Sequence, residues 1–193
     1  MRLKIDLTPL CSAHPQDPVT LLFVMIEHRS RRLVHYNVTA HPSSAWTLQQ
    51  LREAAEFERR YEYLLHDRDS IFAEHLDESV QRLGMTVLKS PPHCPKANAI
   101  CERVIGTIRR EYLDWLIPLS ESHLRSILKS WIPHYNAGRP HMALSPGVPD
   151  PPPALRDHQK TSSRHRREES YAVHARSILT GLHHEYSFAP ACA

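Results

Sequence analysis

The sequence predicts an α/β fold: one five-stranded mixed sheet flanked by helices. Three observations predict it. Three strand-like segments lead the chain, two of them close enough to form a hairpin, and strand and helix patterns alternate from there on. A hairpin followed by alternation sets parallel strands beside antiparallel ones, with the fourth strand expected next to the first. The chain has 193 residues, 41% hydrophobic and 23% charged, enough for one domain of ordinary size with a real core.

Each element has its own warrant. Residues 3–8 (LKIDLT) alternate, so Leu3, Ile5 and Leu7 share one face and Lys4, Asp6 and Thr8 the other. Pro9 has no ladder donor and is expected to end this strand. Residues 19–27 (VTLLFVMIE) are a nearly continuous apolar run, the pattern of a strand buried on both faces. A polar turn at 28–31 leads into the strand-like 32–40 (RLVHYNVTA). Ser43 or Ser44 can cap a helix running to about residue 57, with Leu48, Leu51 and Ala55 as its apolar stripe. Residues 61–66 (YEYLLH) form a short strand that ends at an acidic turn, Asp67-Arg68-Asp69-Ser70. Phe72, Leu76, Val80 and Leu83 recur at helical spacing over 71–83, and Gly84 stops that helix. Residues 85–89 (MTVLK) are a brief strand, and 91–95 a loop with three prolines.

The longest helix is expected over 96–116, where Ile100, Val104, Ile108 and Tyr112 form an i, i+4 line. A second helix over 121–135 carries Leu124, Leu128 and Trp131. Six prolines from Pro140 to Pro153 are then expected to end compact structure, with a loosely packed linker through Ser170. One or two short strands are expected within 172–187. The domain reading is a core over 1–149 and a proline-rich, basic tail over 150–193.

Composition excludes some classes. No stretch approaches the ~20 apolar residues of a membrane span, and the first residues lack the apolar run of a signal peptide. A cytoplasmic location is the default expectation. Cys11, Cys94, Cys101 and Cys192 have no regular spacing and read as free thiols. The fifteen histidines show no zinc-site frame and read as dispersed surface residues. The net charge of +3 says little, but its distribution says more. Residues 42–81 hold nine acidic and four basic side chains, whereas 82–141 hold nine basic and four acidic. The second region offers a basic helical surface to phosphates, or simply a solvated one.

Three acids stand out by position: Asp6 in mid-strand, Asp67 just past a strand end, and Glu102 in the first turns of the long helix. A carboxylate inside a strand opposes β propensity and costs desolvation unless paired or bound to a cation. Three on different elements form the donor set a hard divalent cation requires. Two such ions about 4 Å apart serve phosphodiester displacement. Glu102 lies about 200° around the helix from the apolar line through Ile100, with Gly106 and Arg109 on its own side. Taken singly, each acid also has a plain structural role: an edge-strand residue, a turn closer, a first-turn helix acid.

Three stretches carry a family resemblance. LLHDRDSIF resembles the strand-end motif that opens with the second catalytic Asp in retroviral-type integrases and insertion-sequence transposases. PHCPKANAICERVIGTIRREYLDW is similar to their Pro-x-x-Asn-x-x-x-Glu helix, and YNAGRPHMALSPGVP to their Tyr-Asn-x-x-Arg-Pro-His tail. Thirty-four residues separate Asp67 from Glu102, a spacing that fits the family. The resemblance implies a ribonuclease-H-like fold and a DDE-type polynucleotidyl transferase that cuts and joins DNA in transposition or DNA integration. It implies Asp6, Asp67 and Glu102 as catalytic residues and as ligands of Mg²⁺ or Mn²⁺, with two ions expected on DNA. It also implies DNA as partner, a homo-oligomer when active, and phosphate contacts from Lys89, Lys96, Arg103, Arg109 and Arg110.

Two departures leave alternatives open. The loop after Asp6 carries Pro9, Pro15 and Pro18, and an ungapped alignment from VHYNVTAHP puts the first acid near Thr8. No helix-turn-helix precedes the first strand, so end recognition is expected from a separate module. The alternative to an active core is a truncated, inactive remnant that only binds DNA; a nuclease acting by hydrolysis alone is a third reading.

Overall fold

The computed structural model describes residues 1–11, 19–55, 61–68, 74–91, 95–145, 147–152 and 171–190. Two compact units divide it, Met1–Ser126 and Ile127–Ala193.

The first unit is built on five strands, β1 Arg2–Cys11, β2 Thr20–Glu27, β3 Leu33–Thr39, β4 Tyr63–His66 and β5 Thr86–Lys89. They form one sheet in the order β3-β2-β1-β4-β5. The first three pair antiparallel, and β4 and β5 add on in parallel, with β4 beside β1. This is the mixed sheet expected from the hairpin and the alternation that follows it. Pro9 does not end β1: the strand runs on to Cys11, with a register shift between Pro9 and Cys11. An irregularity is where a sheet accommodates a residue without an N–H.

The alternation of β1 decides the layers. Leu3, Ile5 and Leu7 join Phe23, Met25 and Leu64 on one face, packed with Leu51 and Ala54 of α1 (Ser44–Ala55) and Leu76 and Val80 of α2 (Glu74–Arg82). Ser43 is the cap of α1: its Oγ accepts the Trp46 N–H at 3.2 Å. The starting turn expected for α2 and the last residues expected for α1 lie outside the described residues. On β1, Lys4 and Asp6 alternate with that apolar set, and both are buried nonetheless. Helix α3 (Pro95–Ile108) packs against β1 and buries Cys101, Val104, Ile105 and Ile108.

Gly84 closes α2 with φ +85°, a left-handed conformation. No atom would meet an added Cβ there, so the only obstacle to a side chain is the backbone. Gly84→Ala is expected to destabilise the fold by about 1–2 kcal/mol. A urea titration with an unshifted midpoint would show that the turn relaxes instead.

The long helix is shorter than the i, i+4 line suggested. It ends at Ile108 and continues as one π-helical turn, Arg109–Leu113, with the Asp114 N–H on the Arg109 carbonyl at 2.8 Å. Tyr112 stays buried through the wider turn. Helix α4 (Glu121–Pro133) likewise runs into a π-helical turn, His134–Gly138.

In the second unit, two strands pair antiparallel, β6 Tyr171–Ile178 and β7 His183–Pro190. Glu185 on β7 meets His134 Nδ1 at 3.0 Å and also pairs with Arg176. Burial pushes the Glu185 carboxyl up, but the hydrogen bonds and charges of Arg176 and His134 outweigh it, and the group sits below the usual glutamate range. The proline-rich segment is not loose throughout. Gly147 and Pro149 are buried, and the Asp150 N–H donates to the Asn136 carbonyl at 2.8 Å. Its prolines punctuate a chain that still satisfies its backbone against the π turn. The linker expected from Ala154 to Ser170 lies outside the described residues.

Candidate active site

Asp6 occupies the middle of the central strand and is 2% exposed. The strand alternation that buries Leu7 on one face turns Asp6 to the other. Its Oδ1 accepts the Leu7 N–H at 3.0 Å, and its Oδ2 accepts the Thr8 hydroxyl at 3.1 Å. Thr8 and Asp6 therefore share a strand face, and the position suggested by the ungapped alignment holds a donor to the carboxylate. Neutral donors do not cancel a buried charge, which costs several kcal/mol unless a cation shares the site. Lys4, fully buried two residues earlier on the same face, supplies one positive field.

Asp67 comes to this place through register. β1 and β4 pair in parallel as Leu3↔Leu64 and Lys4↔Leu65. Two residues further along each strand stand Asp6 and Asp67. Neighbouring strands lie about 4.8 Å apart, and paired residues of parallel strands share a face. Asp67 is partly exposed, at the sheet's end.

Glu102 is exposed on α3, one residue from the buried Cys101, as the helical wheel required. Cys101 registers the whole neighbourhood. Burial pushes its thiol up; Asp6 pushes the same way, Lys4 opposes, and Asp67 and Glu102 add to the rise. All three acids therefore lie within electrostatic reach of the buried Cys101 thiol of α3. They are brought into one neighbourhood without being closed around one point: among the described residues, no three His, Cys, Asp or Glu side chains form a group that could hold a metal ion. The oxygen donors suit a hard divalent cation; the spacing does not preassemble a cage for one.

The basic residues divide. Arg103 and Arg110 are exposed on and just after α3. The Arg110 guanidinium lies over Gly106, where an added Cβ would come within 3.1 Å of Nη1. The small residue beside Glu102 makes room for that cation. Arg109 Nη2 donates to the Pro9 carbonyl at 2.7 Å, tying the π turn to the end of β1. Lys89 Nζ meets Asp77 Oδ2 at 2.6 Å. The side chain of Lys96 lies outside the described residues.

Sequence reasoning missed a polar chain beside Asp67. His66, 1% exposed, has Nδ1 on the Asp67 carbonyl oxygen and Nε2 at 2.9 Å from Asp77 Oδ1. The expectation that the histidines are surface residues fails here and at His134, which is also buried. The one sequence signal was a polar residue at the inward position of a short apolar strand. Its partner is eleven residues away on another element and left no pattern.

No helix among the described residues is long and apolar enough to cross a membrane. Residues 83–149 match the family model described as integrase core domain, a segment that contains Glu102. No curated protein matches the chain. Among solved structures, the fold is similar to the catalytic core domain of BIV integrase, with TM-score 0.56 and 16% identity over 77% of this chain and 90% of that one. It is similar to a chain of the simian T-cell lymphotropic virus intasome in complex with PP2A regulatory subunit B56 gamma, with TM-score 0.59 and 16% identity over 98% of this chain and 66% of that one. The HTLV-2 integrase catalytic core domain in complex with magnesium (trimeric form) aligns with TM-score 0.55 and 14% identity over 70% of this chain and 84% of that one. These likenesses show the ribonuclease-H-like fold of integrase catalytic cores. The family match over residues 83–149 and the shared fold are what this chain has in common with integrase catalytic cores.

Proposed function

We propose that this chain is a polynucleotidyl transferase core that cleaves and joins DNA strands in transposition or DNA integration. The core is residues 1–149, with 150–193 as a tail. Asp6, Asp67 and Glu102 are its catalytic carboxylates. The observation that supports this reading best is the parallel register of β1 and β4, which sets Asp67 beside Asp6 of β1, the strand that α3 packs against. Mg²⁺ or Mn²⁺, held by these carboxylates, would supply an activated attacking oxygen and charge neutralisation at the scissile phosphate. The chain's own part is to present the acids. β1 holds Asp6 in a desolvated position, the parallel register brings Asp67 alongside, and α3 carries Glu102 at an exposed, adjustable place. Lys96, Arg103, Arg109 and Arg110 position the phosphate backbone without reading bases. Homo-oligomerisation and a separate end-recognition module belong to the same reading. One related structure is an intasome and another a trimeric magnesium complex, which is consistent with assembly and with the metal.

The test is nicking of supercoiled plasmid by the purified chain with Mn²⁺, with a parallel melting curve. Activity and a Mn²⁺-dependent rise in melting temperature are expected. Asp6→Asn is expected to lose nicking; full retention would move the first acid elsewhere on β1. A second reading, a DNA-binding remnant without catalysis, is favoured by the lack of a preassembled metal group among the described residues. Salt-sensitive duplex binding with neither nicking nor Mn²⁺ stabilisation would decide for it.

A further inference from the structure

We infer that His66, Asp77 and Lys89 form a positioning device for Asp67. The role rests on the reading of Asp67 as a catalytic acid. Asp67 is the first residue past β4, and the pairing of β4 with β5 ends at His66↔Lys89. The pairing of β4 with β1 ends at Leu65, so Asp67 is carried just beyond both ladders, and its carboxylate has to be placed within about 0.5 Å of a productive position.

His66 supplies the hold. A carbonyl oxygen only accepts, so His66 Nδ1 donates to the Asp67 carbonyl. An imidazole with one partner can still swing about its χ2 torsion. The second partner removes that freedom: a carboxylate also only accepts, so Nε2 donates to Asp77 Oδ1 at 2.9 Å, on the far side of a ring that is 1% exposed. Asp77 is fixed in turn, because its Oδ2 meets Lys89 Nζ at 2.6 Å. The three side chains come from β4, α2 and β5, so the ring is clamped by elements that the core already holds in place. Two backbone ties flank the same peptide. The Ser90 N–H donates to the His66 carbonyl at 2.9 Å, and Arg68 Nε donates to the Ser90 carbonyl at 3.2 Å.

The arrangement also reassigns Lys89. Its ammonium serves Asp77 and, through Asp77, the strand end. It acts on the site from within and is not one of the cations that track DNA phosphates.

The test uses the whole chain and three readouts: kcat and KM for Mn²⁺-dependent plasmid nicking, the salt dependence of duplex binding, and the thermal midpoint. His66→Asn keeps a donor near the Nδ1 place, while His66→Gln keeps a group near the Nε2 place and loses the grip on the Asp67 carbonyl. Expected is a kcat about 10- to 100-fold lower for the Gln variant than for the Asn variant. KM for DNA and the thermal midpoints should match between the two. Lys89→Met, a substitution at a half-exposed position, should lower kcat without changing the salt slope of binding. Equal kcat in the Asn and Gln variants, or a Lys89→Met slope reduced by about one, overturns this inference alone. Wild-type protein that fails to nick DNA with Mn²⁺ overturns the parent reading and takes this one with it.

Discussion

Glu102→Gln is expected to lower Mn²⁺-dependent nicking by at least about 100-fold while leaving folding and DNA affinity nearly intact. The two halves of that expectation have different causes. Glu102 is exposed on α3 and packs into no core, so an isosteric change there falls within about 0.5 kcal/mol of neutral. Its charge is another matter. Of three carboxylates, it alone stands on a helix surface facing solvent, where it can move to complete a cation's oxygen shell. Gln keeps the shape and hydrogen-bonding capacity but contributes no negative charge to that shell. Plasmid nicking, a gel-shift titration and a melting curve on one preparation separate these effects. Unchanged nicking would remove Glu102 from the site, and with it the family-based assignment of the third acid.

Phe23→Ala should produce the largest loss of stability, about 3–5 kcal/mol. Phe23 is fully buried in β2 on the face that α1 and α2 cover. Its ring meets Trp46 of α1 edge-on, with centroids 5.7 Å apart and planes at 83°, and the His35 ring of β3 at 6.4 Å. Removing it takes away the transfer energy of a large side chain and both edge contacts, and it opens a cavity between the sheet and α1. Stability totals of 5–15 kcal/mol are usual, so the loss is large without guaranteeing unfolding. The check is a urea titration: the midpoint should fall while the slope stays constant. A loss below about 1 kcal/mol would mean that the sheet and α1 close over the gap.

Much of the sheet was legible in the chain. Period-2 alternation at residues 3–8, the apolar run at 19–27 and the short spacing to the next strand were enough for three antiparallel strands, and the alternation after them for two parallel ones. Local backbone rules misjudged Pro9, because a sheet irregularity rescues a residue that cannot donate. The i, i+4 line ran past the end of α3, because a π turn keeps Tyr112 buried with one extra residue per turn. Such turns leave no mark in apolar spacing.

The sequence by itself determined which acids are the candidates to carry chemistry in this protein. Mid-strand Asp6, turn-opening Asp67 and helix-borne Glu102 were visible as types in positions, since secondary structure depends on near neighbours. Only the tertiary structure decided how they relate. The parallel register that sets Asp67 beside Asp6 depends on which strand lies next to β1, and the burial of Lys4 and Cys101 depends on α3 covering that face. The clamp on Asp67 is the extreme case. His66, Asp77 and Lys89 come from a strand, a helix and another strand. Their hydrogen bonds exist because the packed core holds those elements together, and distance in space is a property that no run of residues encodes locally.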